Sequence, residues 1–259
     1  MSNNPIGIFD SGVGGTSIWK EIHQLLPNEN TIYLADSLNA PYGSKGSEVI
    51  TELSIKNTEL LLSKNCKLIV VACNTATTNA IDYLRKNFDV PFIGIEPAIK
   101  PAALNTKTNA VGILATKGTL TSALFSKTSG MFASHIKVVE QVGEGIVELI
   151  ESGKLHSDEM KGLLSEYLKP MISANIDYLV LGCTHYPYLI PMLIELLPNH
   201  VKIIDSGEAV ARQTKAILEQ HNVLNTSISK VKNEFFTNGN VDVMATLLGS
   251  KFDVEYLEF

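Results

Sequence analysis

The stretch LVLGCTHYPYL (residues 179–189) sets a thiol and an imidazole, Cys183 and His185, directly after an apolar run. The stretch LIVVACNTATT (68–78) has the same design, and its apolar run ends at Cys73. Val, Ile and Leu follow one another in both runs without alternating with polar residues, which indicates strands covered on both faces. Such strands are typical of parallel sheets, so the two stretches predict an α/β fold with polar groups at the strand ends.

Strand and helix signals alternate along the rest of the chain. Short apolar runs predict strands at 6–12, 31–37, 68–74, 91–97, 110–118, 136–143, 178–184 and 202–208. Amphipathic stretches of helical length lie between them, at 15–26, 46–65, 75–87, 117–129, 157–174, 186–197 and 207–221. The stretch 233–259 reads as strand, helix, strand. This alternation predicts doubly wound parallel sheets with helices on both sides.

Four of the predicted strands recur in the same order about one hundred residues later. The aligned pairs are Gly7 with Gly112, Tyr33 with Val138, Cys73 with Cys183 and Ile95 with Ile204, at offsets of 105, 105, 110 and 109 residues. Each pair alone is short enough to match by chance, but the ordered set predicts two similar α/β lobes. Because ligands bind beyond the carboxyl ends of such strands, two lobes that face each other would bring both cysteines to one cleft from opposite sides.

Two thiols across a cleft suit three kinds of chemistry. They could form a redox pair, although they lie 110 residues apart and the chain has no C-x-x-C. They could bind zinc with His185, although C-x-H is a poor ligand spacing. Or each could move a proton on one face of a substrate, which is what inversion of a stereocentre requires. Both cysteines precede helix starts, where we expect the thiol pKa to be lowered. Cys66 lies at the other end of its strand and receives no role.

Two loops carry further candidate groups. FDSGVGGTS (9–17) predicts a tight strand-to-helix turn whose N–H groups could cradle an anion, with Asp10 and Ser11 as site residues. APYGSKG (40–46) predicts a second loop, with Tyr42 as an exposed polar aromatic residue. Glu151 ends an amphipathic stretch, and periodicity alone favours a solvated helix end there.

The composition limits the class of protein. The chain has 259 residues, a net charge of −6 and 45% hydrophobic residues, typical of a water-soluble globular protein. We expect a cytoplasmic location and no membrane association, because no apolar run approaches the ~18 residues that span a bilayer and no secretory signal is evident. Without a basic patch, nucleic acid is not expected as the main partner. Three cysteines predict reduced thiols.

Six motifs together resemble bacterial glutamate racemases, within the aspartate/glutamate racemase superfamily. They are GIFDSGVGGTS, ADSLNAPYGSK, VVACNTAT, IEPAIKPA, LGCTHYPYL and DSGEAVA, and they run in the family's order from residue 6 to about 211. The resemblance implies a cofactor-independent and metal-independent enzyme that supplies D-glutamate for peptidoglycan. It also implies pseudo-twofold lobes over 1–97 plus 209–259 and over 98–208, with the active site in the cleft between them, and it favours a homodimer.

The resemblance implies roles for individual residues. Cys183 would take the proton from L-glutamate and Cys73 the proton from D-glutamate, with Asp10 assisting Cys73, and His185 and Glu151 assisting Cys183. The implied substrate contacts are Asp10, Ser11, Tyr42, Gly43, Asn74, Thr75, Thr184 and His185.

The sequence departs from the family pattern at two places, and three rival functions stay open. Leu38, Asn39 and Ala40 precede PYG where the family commonly has Arg, and the stretch before Glu151 is atypical, so Glu151 depends most on alignment. The long N-terminal extension that some members use for activation is not seen, and we expect that regulation to be absent. The rivals are a racemase for aspartate or another amino acid, a cysteine hydrolase using Cys183 and His185, and a two-lobed binding protein without turnover.

Overall fold

Two parallel sheets form the centre of the molecule. A computed structural model describes residues 2–227, 230–249 and 251–259. The first sheet has the strand order β10-β9-β2-β1-β3-β4 and the second β6-β5-β7-β8. The strands are β1 (Ile6–Asp10), β2 (Thr31–Ala35), β3 (Leu68–Val71), β4 (Phe92–Gly94), β5 (Ala110–Ala115), β6 (Lys137–Val142), β7 (Tyr178–Gly182), β8 (Lys202–Ile204), β9 (Asn233–Thr237) and β10 (Val254–Tyr256). All the strand pairs are parallel.

Helices connect successive strands. They are α1 (Thr16–Leu25), α2 (Ser47–Ser63), α3 (Asn74–Asn87), α4 (Ile99–Asn105), α5 (Lys117–Leu120), α6 (Ala123–Ala133), α7 (Ile146–Glu151), α8 (Asp158–Ser173), α9 (Ile190–Leu196), α10 (Gly207–Gln220) and α11 (Val241–Leu248). Within the described residues, no helix is long and apolar enough to cross a membrane.

The two sheets repeat one arrangement, which confirms the predicted α/β fold with two similar lobes. The order β2-β1-β3-β4 in the first sheet matches β6-β5-β7-β8 in the second. Gly7 in β1 pairs with Ile32 and Ile69, and Gly112 in β5 occupies the matching central position between β6 and β7. The strand, helix, strand signal near the C-terminus corresponds to β9, α11 and β10, which extend the first sheet. The boundaries 1–97 plus 209–259 and 98–208 remain a prediction.

Burial explains the apolar runs. All five residues of β1 and all four of β3 are buried, because helices cover both faces of the sheet. The largest apolar core extends across both lobes, since Val13 and Ile18 of the first share it with Ile146 of the second. The two lobes therefore pack against each other through a shared apolar core.

Two predicted helices differ from the structure. The stretch 117–129 contains two helices: α5 ends at Leu120, and Ser122 caps α6 by accepting the N–H of Phe125. The stretch 186–197 begins as a 3₁₀ turn over Tyr186–Leu189 before α9. Proline lacks the N–H of a regular helix, and Pro187 and Pro191 stand at the starts of these two segments.

Candidate active site

Both cysteines line one cavity between the lobes. Its walls come from the carboxyl ends of the strands and from the loops and helix starts that follow them. The lining residues are Ser11, Pro41, Tyr42, Gly43, Cys73, Asn74, Thr75, Thr116, Val147, Gly182, Cys183, Thr184 and His185. Cys73 follows β3 in the first lobe and Cys183 follows β7 in the second. The structure thus brings the two thiols to one site, as the repeat predicts.

Cys183 begins a chain of polar contacts that runs through His185 to Glu151. The Sγ of Cys183 lies 3.7 Å from Nδ1 of His185. The Nε2 of the same ring lies 2.6 Å from Oε1 of Glu151. Glu151 ends α7 but is only 13% exposed, so periodicity alone was wrong about a solvated helix end. The resemblance, which depended on alignment there, selected a residue that does contact His185.

The groups in contact with His185 favour the protonated form of its imidazole. Burial opposes protonation, but the hydrogen bonds and negative charges of Cys183 and Glu151 outweigh it and raise the pKa of His185 well above its usual value. The N–H of Gly14 also lies 3.3 Å from Nε2. Nε2 can either accept the N–H of Gly14 or carry a proton and donate it to Glu151. Because the contact to Glu151 is the shorter of the two, we assign a proton to Nε2.

The glycine-rich loop binds the protein's own side chains. The N–H of Val13 donates to Oε1 of Glu151 (2.7 Å), and the N–H of Gly15 donates to Oδ2 of Asp10 (2.7 Å). The predicted anion cradle therefore exists, but carboxylates of this chain fill it. A Cβ on Gly12 would overlap the carboxylate of Glu151. Glycine here allows the second lobe to approach the loop.

Cys73 lies in different surroundings from Cys183. It caps α3, where its Sγ accepts the N–H of Ala76 (3.4 Å), and it lies 3.5 Å from the Ser11 hydroxyl. Burial raises the pKa of the Cys73 thiol well above its ordinary value, and the nearby Asp10 carboxylate raises it further. The expected lowering at a helix start is thus wrong for Cys73. The Ala76 N–H does act in the predicted direction, but desolvation and the neighbouring negative charge are larger.

Asp10 lies behind the cavity wall. It is fully buried, and its carboxylate accepts hydrogen bonds from the hydroxyls of Thr184 (3.2 Å) and Ser11 (3.4 Å), both of which do line the cavity. Burial raises the pKa of Asp10 to about 6, against the opposing effects of His185 and the Gly15 N–H. Asp10 can therefore change protonation near neutral pH while it holds two cavity side chains.

Hydrogen bonds across the cleft hold the lobes together. Ser17 Oγ donates to the carbonyl of Thr184 (2.9 Å), and the hydroxyls of Thr75 and Thr116 lie 2.8 Å apart. The free space in the cavity is only about 10 Å³, room for about one water molecule. An amino acid is several times larger, so a substrate enters only when the walls separate.

Similarity to known proteins identifies the family of this chain. The model of the Asp/Glu/Hydantoin racemase family matches residues 6–214, most of the chain.

The chain belongs to the Asp/Glu/Hydantoin racemase family.

Relatives and solved structures within the family are similar over nearly the whole chain. A glutamate racemase of Ectopseudomonas mendocina is 46% identical over 96% of this chain and 94% of its own length. One from Herpetosiphon aurantiacus is 45% identical over 93% and 94%. The crystal structure of Escherichia coli glutamate racemase, in complex with L-glutamate and the activator UDP-MurNAc-Ala, has a TM-score of 0.87 at 34% identity and covers 98% of both chains. A glutamate racemase isoform from Bacillus anthracis also has a TM-score of 0.87, at 30% identity over 100% and 98%.

The cavity of this racemase offers neutral donors to an anionic substrate. Among the described lining residues there is no lysine or arginine. The Nδ2 of Asn74 is buried without a hydrogen-bond partner, and the first-turn N–H groups of α3 begin at the same residue. A helix N-terminus attracts negative charge. Asn74 and Thr75 are therefore suited to hold a carboxylate.

Four residues that line the cavity of this racemase are absent from the predicted site, namely Pro41, Thr116, Val147 and Gly182, and only Thr116 among them has a polar side chain. Thr116 follows β5 and caps α5 through the N–H of Thr119 (3.3 Å). Ser11 follows β1 in the same way, and the offset between the two residues is the 105 of the internal repeat. Extending the alignment of Gly7 with Gly112 by four residues pairs Ser11 with Thr116 and identifies Thr116 as a candidate site residue.

Tyr42 is placed differently from the prediction. It is 1% exposed, so the expectation of an exposed polar aromatic residue is wrong. Its hydroxyl donates to Oδ2 of Asp36 (2.6 Å) and accepts from Asn57 (3.2 Å). Both partners belong to the first lobe, and they engage the hydroxyl within that lobe. Tyr42 lines the cavity beside Gly43.

Proposed function

We propose that this chain is a glutamate racemase that interconverts L- and D-glutamate with two cysteines, one of which removes the α-proton while the other delivers its own proton to the opposite face of Cα. The observation that carries the proposal is the pair Cys73 and Cys183, which stand at equivalent strand ends of two lobes and line one cavity. The relatives named glutamate racemase, at 45–46% identity over more than nine-tenths of the chain, support glutamate as the substrate.

In the L-to-D direction, Cys183 acts as the base. The imidazolium of His185, held by Glu151, stabilises a thiolate at Cys183 through its charge. The thiolate takes the α-proton, so that the Cα–H bond breaks, an S–H bond forms and the electron pair stays on Cα and spreads into the carboxylate. The thiol of Cys73 then delivers its own proton to the opposite face of Cα.

Cys73 is suited to the acid role in that direction. Burial and the Asp10 carboxylate both favour its protonated form. In the D-to-L direction Cys73 must become the base, and the contacts from Cys73 to Ser11 (3.5 Å) and from Ser11 to Asp10 (3.4 Å) offer its proton a path. Asp10, with a pKa of about 6, is a suitable acceptor near neutral pH.

The substrate is held by neutral donors. We assign its carboxylates to Asn74 Nδ2, the N–H groups at the start of α3 and the hydroxyls of Thr75 and Thr116. Ser11 and Thr184, whose hydroxyls donate to Asp10, line the cavity beside these donors. Such preorganised donors in a water-excluding cavity stabilise the negative charge that develops at Cα and its carboxylate. Tyr42 and Gly43 complete the wall. Cleft closure, with the crossing bond between Thr75 and Thr116, excludes water from the reaction.

The cellular role follows from the family resemblance. We propose that the D-glutamate produced serves peptidoglycan synthesis, that the enzyme works in the cytoplasm, and that it assembles as a homodimer whose lobes are 1–97 plus 209–259 and 98–208. These statements rest on the resemblance.

Racemisation assays test the substrate and the reaction. Loss of optical rotation is followed by circular dichroism for L-glutamate and for L-aspartate at equal concentration. Turnover of L-glutamate is expected; turnover of aspartate alone would overturn the choice of substrate. Cys73→Ala should abolish racemisation in both directions. A cysteine hydrolase using Cys183 and His185 would instead keep its turnover in this variant, and that result would overturn the two-cysteine mechanism.

A further inference from the structure

Asp36 is a buried carboxylate to which neither the predicted site nor the proposed mechanism assigns a function. It follows β2 at the carboxyl end of the first sheet and is 2% exposed. Its Oδ2 accepts the hydroxyl of Tyr42 (2.6 Å), and its Oδ1 accepts the side-chain amides of Asn39 (2.8 Å) and Asn238 (2.6 Å). These three partners are neutral, so the carboxylate is held by hydrogen bonds and not by an ion pair.

Two of the three partners belong to the loop that forms one wall of the cavity. This loop covers residues 37–46 and includes Tyr42 and Gly43, both of which line the cavity. A Cβ on Gly43 would lie 2.9 Å from Cβ of Thr116, so the loop also touches the second lobe. The position of this loop therefore affects both the shape of the cavity and the closure of the cleft.

Asn238 holds the same loop from a distant part of the chain. It follows β9, and its Oδ1 accepts the N–H of Leu38 (2.9 Å). Its Nδ2 donates to Asp36 and also to the carbonyl of Phe259 (3.2 Å). The loop is thus bound near its beginning by Asn238 and at Tyr42 by Asp36, and the carboxylate of Asp36 connects the two points.

We propose that Asp36 is a positioning residue for substrate binding, which acts through the hydroxyl of Tyr42 and, with Asn238, fixes the 37–46 loop against the cavity. The inference rests on the proposed function, since it concerns the same cavity. Hydrogen bonds to a charged acceptor are stronger than those between neutral groups. The strong bond at 2.6 Å between Asp36 and Tyr42 sets the ring and the following Gly43 in place before the substrate arrives.

Steady-state kinetics of Asp36→Asn test the proposal. The amide keeps the size of the side chain but removes its charge and one acceptor. We expect KM for both enantiomers to rise about tenfold, which corresponds to the loss of one charge-assisted hydrogen bond. We expect kcat to change less than about threefold, because Cys73 and Cys183 are positioned by their own strands. The matched control is Glu29→Gln, a buried carboxylate of the same lobe that binds Lys67 and the N–H of Asn225. It should lower thermal stability and leave KM unchanged.

A double-variant comparison separates positioning from general destabilisation. Tyr42→Phe removes the donor to Asp36 and should raise KM by a similar factor. If Asp36 acts through Tyr42, the double variant has the KM of the worse single variant. Effects that multiply would overturn the proposal, as would an unchanged KM in Asp36→Asn or an equal rise in Glu29→Gln.

Two further controls address misfolding of the variant and the identity of the substrate. If Asp36→Asn does not fold, Asn238→Ala is measured instead, since it removes one donor to the carboxylate and one acceptor from the loop. An unchanged KM in that variant would overturn the proposal. The wild-type chain is assayed first with glutamate and aspartate, and whichever amino acid it turns over is used for the variants. Failure of glutamate as the substrate and failure of the role of Asp36 are then distinct results.

Discussion

The substitution Glu151→Gln isolates the effect of one negative charge on the base at Cys183. The carboxylate lies 2.6 Å from Nε2 of His185 and accepts the N–H of Val13 at 2.7 Å. A glutamine oxygen can accept either bond from the same position, so the shape of the site is kept. What is lost is the charge that helps to raise the pKa of His185.

The size of the effect follows from hydrogen-bond energies. A bond to a charged group contributes about 1.5–3 kcal/mol and a neutral one about 0.5–1.5 kcal/mol. Losing the charge therefore costs about 1–1.5 kcal/mol, or about tenfold in kcat/KM. The loss must be equal from L- and from D-glutamate, because mirror-image substrates have an equilibrium constant of one. The imidazolium is the active form, so a lower pKa of His185 also moves the alkaline limb of the pH profile to lower pH.

Circular dichroism measures both quantities, with initial rates recorded from each enantiomer across a pH series. The matched control is Glu159→Gln, which removes a carboxylate of the same type that is 65% exposed in the first turn of α8. It should behave as the wild type. A Glu151→Gln enzyme that keeps its kcat/KM within twofold and its alkaline limb in place would refute the role of Glu151.

Three further substitutions test the surroundings of the cysteines. Gly12→Ala places a Cβ against the carboxylate of Glu151 and should lower kcat/KM about a hundredfold by displacing that carboxylate. The control Gly130→Ala in α6, with no atom near its Cβ, should leave kcat/KM unchanged in the same assay. Asn74→Ala removes a donor without another partner and should raise KM for both enantiomers about tenfold; an unchanged KM would exclude it from binding. The pKa of Asp10 is about 6 in the folded protein and 3.8 for an ordinary aspartate. The buried carboxyl therefore stabilises the fold fully below pH 4, and this contribution to the free energy of unfolding is lost as the pH rises through 6. Urea unfolding should therefore show Asp10→Asn gaining up to about 3 kcal/mol on the wild type between pH 4 and pH 7, and parallel pH curves would contradict the buried carboxyl.

The internal repeat carried most of what the sequence predicted about the fold and the cleft. Uninterrupted apolar runs predicted buried strands, and the matched spacing of Cys73 and Cys183 predicted two lobes with both thiols at one cavity. Thr116 was missed although the same repeat pairs it with Ser11, because hydroxyl residues after strands are common and attract little attention alone. A repeat in a sequence therefore predicts equivalent positions better than it predicts which of them line a site.

Long-range polar partners could not be predicted. The N–H of Val13 donates to the carboxylate of Glu151, which lies 138 residues away in the sequence. No local sequence pattern predicts that a side chain of the same protein occupies this anion-binding turn. The protonation of Cys73 was also misjudged, because helix capping is a local signal whereas desolvation depends on the whole fold. The loop around Tyr42 predicts an exposed ring, because Pro and Gly are typical of surface turns, but the Tyr42 hydroxyl donates to the buried carboxylate of Asp36.

In the proposed mechanism, Cys183 and Cys73 act on opposite faces of the same Cα. Exchange of the α-proton in D₂O, followed by NMR on each enantiomer separately, tests it most directly. The wild type should incorporate deuterium from both L- and D-glutamate. Cys73→Ser should lose racemisation and retain exchange only with L-glutamate, and Cys183→Ser should retain it only with D-glutamate. Exchange from both enantiomers in either variant, or racemisation that survives the loss of one thiol, would contradict the two-cysteine account.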